Sequence, residues 1–192
     1  ERERKRKEQD LPAFAWNYPD EAKNMLRRAI HGDAAAQTNM GAMYEKGRGV
    51  PQDDAEAVKW YLKAAEQGHA MGQSNLGWMY ARGRGIARDD SEAIKWIRKA
   101  AEQGNPWGQN RLGMMYEKGQ GVPQDHVEAV RWFRKAAELG NALAQDNLGL
   151  AYSQGRGLST DPQEAIRWFR KAAEQGHERA KEHLRKMGVP WP

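Results

Sequence analysis

Four glycine-rich stretches carry the residue types that most invite a chemical reading. "EKGRGVPQD" at residues 45–53 returns as "ARGRGIARD" at 81–89, "EKGQGVPQD" at 117–125 and "SQGRGLSTD" at 153–161. The backbone N–H groups of such a loop ahead of a helix can cradle a phosphate, with Arg48 or Arg84 as the counter-charge. A phosphate site is needed once, whereas a turn is needed in every repeat, so the recurrence assigns these loops to turns and their arginines to solvent. Among the histidines, His69 and His177 follow a glycine where Asn105 and Asn141 stand elsewhere, which marks a helix-junction role. His177 and His183 are six residues apart and fall on different helix faces, which disfavours a shared metal. Ser74, Ser91, Ser153 and Ser159 have no histidine and acid arranged beside them. With no Cys in the chain, thiolate chemistry and disulfides are excluded. No catalytic residue, metal ligand or cofactor is expected.

The elements that hold these residues follow from an internal period. Gly32, Gly68, Gly104, Gly140 and Gly176 are spaced by 36, as are Trp60, Trp96, Trp132 and Trp168, and Tyr44, Tyr80, Tyr116 and Tyr152. Within a unit, Ala36, Met40, Met43 and Tyr44 make one face of a first helix that Gly47 ends, and Gly41 admits a close neighbour. Asp53 with Glu56 opens a second helix as an acidic capping box, repeated as Asp89/Glu92, Asp125/Glu128 and Asp161/Glu164. Ala57, Tyr61, Ala64 and Ala65 form its buried face with Trp60 beside them, and Gly68 ends it. The domain organisation read from this frame is a charged arm over 1–16 and an N-terminal capping helix over 17–32. Four repeats follow over 33–68, 69–104, 105–140 and 141–176, then a C-terminal capping helix and tail over 177–192 that includes Trp191.

The 192 residues carry a net formal charge of +5, which favours solubility without demanding nucleic acid. No apolar run approaches the length of a membrane span. The second helices carry Lys59 and Lys63, Lys95 and Lys99, Arg131 and Lys135, and Arg167 and Lys171, interleaved with acids in the manner of a solvated helix surface. The chain does not begin with Met; removal of a leader would place it in the periplasm or envelope, and otherwise it is cytoplasmic.

"AAAQTNMGAMYEKGRGVPQDDAEAVKWYLKAAEQG" and its three successors resemble the Sel-one-like repeat family, a subclass of tetratricopeptide-type repeats. The resemblance implies an all-α fold, a right-handed superhelix of antiparallel helix pairs whose first helices line a concave surface. It also implies a scaffolding or adaptor role without catalysis, in a family whose bacterial members include envelope factors and immunity proteins that neutralise toxins.

Packing explains positions the repeats share, so those where they differ are the candidates for a partner. One set is Ala35, Met71, Trp107 and Leu143, and another is Ala42, Trp78, Met114 and Leu150. Seven residues apart in a helix, the two sets differ by only about 20°. Beside them come Thr38, Ser74, Asn110 and Asp146, then Lys46, Arg82, Lys118 and Gln154. The expected partner-binding residues are Met71, Ser74, Trp78, Arg82, Trp107, Asn110, Met114, Lys118, Leu143, Asp146 and Leu150. They would form an apolar strip with a polar margin that binds a protein or peptide, such as a secreted toxin or effector. The protein is expected to be a monomer without that partner. The alternatives are a gap-filling role for the strip, a nucleic-acid-binding solenoid and an enzyme of unrecognised type.

Overall fold

The structure, a computed structural model, describes residues 11–191. Residues 1–10 of the charged arm lie outside the described residues. In the remainder of that segment Leu11 and Ala15 are buried, Phe14 and Trp16 are exposed, and a short 3-10 turn runs over Ala13–Ala15. Ten α-helices and no strand lie among the described residues: α1 (Asp20–Ile30), α2 (Ala34–Lys46), α3 (Asp54–Glu66), α4 (Ala70–Arg82), α5 (Asp90–Glu102), α6 (Pro106–Lys118), α7 (His126–Glu138), α8 (Ala142–Gln154), α9 (Pro162–Glu174) and α10 (Glu178–Lys186). The fold class is an all-α repeat solenoid built of helix pairs. The chain divides into two compact units, Glu1–Trp96 and Ile97–Pro192, whose boundary falls within α5.

In the first unit, Asp33 caps α2 by accepting from the Ala36 N–H, and Gly47 ends it in the left-handed conformation at φ 65°. Asp53 Oδ1 then accepts from the N–H groups of Ala55 and Glu56, starting α3. The capping box is only half formed, because the Glu56 carboxylate pairs forward with Lys59. A Cβ on Gly41 would lie 2.5 Å from Tyr61 Cε1, so glycine is what lets α2 and α3 pack ring to backbone. Consecutive pairs are joined by buried amides: Gln37 donates to the Ala29 carbonyl and Gln73 to that of Ala65, satisfying the ends of the preceding helices. Arg84 ties its loop back by two bonds to Asp54 and one to Glu45, so this arginine is not left to solvent.

The second unit repeats the same devices. Asn105 and Asn141 cap α6 and α8, Asp125 and Asp161 cap α7 and α9, and Gln109 and Gln145 reach the carbonyls of Ala101 and Ala137. Gly113 and Gly149 seat Phe133 and Phe169 with virtual Cβ contacts of 2.7 Å. The residue after each repeated Trp is therefore the main core side chain, and Tyr61, Ile97, Phe133 and Phe169 are almost wholly buried. The Trp positions themselves vary: Trp60 and Trp168 are buried, whereas Trp96 and Trp132 are half-buried, contrary to a uniform core role. Trp191 packs on the cluster around Phe169 and Leu184.

Candidate functional site

In the first unit the strip residues lie on α4, which is fixed at its start by His69. The His69 Nδ1 accepts from the Gly72 N–H and stands 2.8 Å from Thr38 Oγ1, and Gly72 leaves room for Ala64 at 2.7 Å. From this anchored helix Met71 and Trp78 emerge half-buried and Arg82 exposed, with the Arg82 guanidinium 5.0 Å from the Trp78 ring. The cation covers part of the indole and leaves a combined aromatic and basic surface. Ser74 is wholly buried, so it does not contribute to that surface.

In the second unit Trp107 of α6 and Leu143 of α8 are 43% and 37% exposed, and Lys118 is exposed. Met114 is half-buried against the cluster of Leu148 and Phe133, and Leu150 against that of Phe169 and Leu184, so both also fill gaps between helices. Asn110 and Asp146 are buried. These two and Ser74 were expected on the binding strip, and burial takes them off it. Three residues beyond Trp107 or Leu143, a side chain turns by about 60° and meets neighbouring helices instead of solvent. There the polar groups satisfy one another: Asn110 Oδ1 accepts from Asn147 Nδ2 at 2.9 Å.

Asp146 is the centre of a constellation that sequence spacing misjudged. Its Oδ1 lies 2.9 Å from His183 Nδ1, and its Oδ2 accepts from Arg179 Nε and stands 3.5 Å from His177 Nε2. The two histidines thus face one carboxylate, His177 from before the first turn of α10 and His183 from within it. Arg179 falls 36 residues after Leu143, at the strip position, and its basic character was the available signal that α10 docks through charge. Arg179 also donates to Asn147 Oδ1, tying a second side chain of α8 to α10. No group of three side chains able to hold a metal occurs among the described residues.

The basic residues of the second helices are largely engaged. Lys59, Lys95, Arg131 and Arg167 pair with glutamates three residues earlier, and Lys63, Lys135 and Lys171 lie 4.3–4.4 Å from the rings of Trp60, Trp132 and Trp168. Such a surface lacks the unbalanced charge and free stacking rings of a nucleic-acid groove. Among the described residues no helix is long and apolar enough to cross a membrane.

A model of the family described as Sel1 repeat matches residues 34–69, 70–105, 108–141 and 142–177. Among solved structures, c5321, a protective antigen present in uropathogenic Escherichia coli strains, is 43% identical with a TM-score of 0.75. That match covers 86% of this chain and 37% of c5321, so the chain spans little more than a third of that relative. A Sel1 repeat protein from Oxalobacter formigenes is 35% identical over 91% of this chain and 78% of its own, with a TM-score of 0.73. Immunity protein Pa5087 from Pseudomonas aeruginosa, 20% identical over 91% of this chain and 72% of its own at a TM-score of 0.57, shares the fold alone. No curated protein matches the chain.

Proposed function

The chain belongs to the Sel1 repeat family, and from that premise we propose that it is a non-enzymatic scaffold holding another protein or peptide against its first helices. Sel1 repeats serve generally in protein–protein interaction. The observation that carries the reading to particular residues is the exposure of Trp107 and Leu143, large apolar side chains at one frame position of successive first helices that internal packing does not require. In the first unit Trp78 with Arg82 supplies the same kind of anchor, an indole with a guanidinium beside it. The finer version is an immunity or envelope adaptor that restrains a secreted effector. Its support is the naming of fold neighbours as immunity proteins; at 19–20% identity these share the architecture and not a matched surface.

The test is an affinity pull-down with mass spectrometry, followed by titration of the purified partner. Trp107→Ala and Leu143→Ala should weaken binding, the tryptophan by about 2 kcal/mol, with melting temperature nearly unchanged. Val127, an apolar residue on a second helix with 53% exposure, is the control. Val127→Ala as damaging as Trp107→Ala, or no effect from any of the three, would overturn the assignment to the first helices.

A further inference from the structure

The first repeat interrupts the pattern that fills the first-helix face elsewhere. Ala42 of α2 occupies the frame position of Trp78, Met114 and Leu150. A Cβ on Gly85 or Gly157 would stand 2.1 Å from the carbonyl oxygen of Asp54 or His126, the start of the second helix one repeat earlier. At Gly49 the nearest atoms are only side chains: Met43 Cε at 3.4 Å, Ala22 Cβ at 3.6 Å and Pro19 Cγ at 3.7 Å. A small side chain and a more distant neighbouring helix start together leave a cavity of about 530 Å³ between α1 and α2, lined by Met25, Asn39, Ala42, Met43, Lys46 and Arg48. That volume lies within the roughly 300–1,000 Å³ of ordinary ligand pockets.

The charged and amide side chains around this cavity are unengaged among the described residues. Arg84 meets Asp54 and Glu45, and Arg156 meets Glu117, in each case one repeat back. Thirty-six residues before Asp54 stands Tyr18, so Arg48 lacks the corresponding acid. Lys46, Arg48 and the Asn39 amide have no side-chain partner among the described residues. Glu21 is the one acid in the lining and pairs with neither cation. Two unpaired cations beside a floor of Met25, Met43 and Ala22 call for a ligand that joins negative charge to apolar surface.

We propose that this cavity binds an acidic peptide segment, with a side-chain carboxylate between Lys46 and Arg48 and an adjacent apolar side chain on Met25 and Met43. The proposal rests on the reading of the first helices as a protein-binding face and names the chemistry that its first repeat selects. Arg48 can take a carboxylate through two parallel N–H bonds, Lys46 adds a point charge, and the methionines adapt to the neighbouring side chain. Glu21, on the α1 wall, repels a second carboxylate and so fixes which side of the segment carries the acid.

The probe is the blocked peptide acetyl-Ser-Leu-Glu-Leu-Ser-amide, followed by its effect on proton–nitrogen NMR spectra of the full chain. Saturable shifts are expected at the Gly49 backbone amide and the Asn39 side-chain amide. A peptide with Gln in place of Glu, and the Lys46→Glu and Arg48→Glu variants, should each raise the dissociation constant by about tenfold or more. Ala42→Trp, which installs the side chain found as Trp78 in the next repeat, should abolish the shifts; if that variant does not fold, the two charge reversals decide. Equal affinity for both peptides, shifts surviving in a folded Ala42→Trp, no saturable shift, or displacement by equimolar inorganic phosphate would each overturn the proposal. The assay needs neither Trp107 nor the natural partner, so its failure leaves the titration of the wider face standing.

Discussion

Trp96 and Phe133 occupy adjacent positions of the repeat frame, and burial separates them. Trp96 is half-buried with its indole N–H donating to Glu92, whereas Phe133 is 1% exposed and seated on Gly113. Phe133→Ala should therefore cost about 3–5 kcal/mol in a denaturant melt, and Trp96→Ala clearly less. Equal losses would place the structural weight on the tryptophans after all. Tyr44 gives a pH-dependent counterpart. Burial, and next its hydrogen bond with Tyr18, pushes its phenol up from the ordinary value. A raised folded value means that its contribution is complete below about pH 10 and is lost as the pH rises further. Tyr44→Phe should flatten the alkaline fall of the melting temperature; an unchanged profile would assign that fall to other groups. The core faces and caps were legible in the sequence because their signals are short-range, as with Asp53 and the two amides that follow it. The cluster on Asp146 was not, because its partners lie 31–37 residues away and their meeting depends on how α10 docks.

At the scale of elements, the recurrent loops act as spacers between repeats. Gly68 and Gly85 both have positive φ, 83° and 66°, but a Cβ on Gly68 meets nothing within 4 Å while one on Gly85 strikes the Asp54 carbonyl. Gly68→Ala should cost about 1 kcal/mol from the left-handed conformation alone. Gly85→Ala should cost distinctly more, since backbone has to move and α3 with it. Melts of the two variants isolate the close approach, and equal costs would show that conformation is the whole requirement at Gly85. Arg84 joins the same loop to α3 through Asp54 and to α2 through Glu45. The sequence suggested that the loop arginines could be removed without consequence, since the pairing is with another repeat and leaves no local trace. In the structure Arg84→Ala should cost about 1 kcal/mol, a modest figure because the group is partly exposed. Arg48→Ala, which breaks no such pair, should leave the melt unchanged.

At the scale of the whole molecule, a repeat protein depends on how its last repeat is closed, because each repeat is stabilised mainly by its neighbours. Here closure combines an apolar contact and a charge. Ala180 and Leu184 of α10 join the cluster of Phe169 and Ala172, while Arg179 and His183 engage the buried carboxylate of Asp146. Deleting residues 178–192 removes both, exposing apolar surface and taking Arg179 and His183 away from Asp146, with only His177 left 3.5 Å from it. Hydrogen exchange in α8 and α9 should accelerate, whereas amides of the first unit should keep their protection. A buried acid whose partner is removed destabilises more than a neutral residue does, so Asp146→Ser should act in opposite directions in the two backgrounds. Serine is the residue that this frame position already carries, buried, as Ser74. In the full chain the substitution should cost on the order of 2 kcal/mol through loss of the Arg179 and His183 bonds. In the truncated chain it should restore part of the lost protection. Slowed exchange in both backgrounds, or in neither, would mean that α10 is held by its apolar face alone and that the carboxylate is incidental to closure.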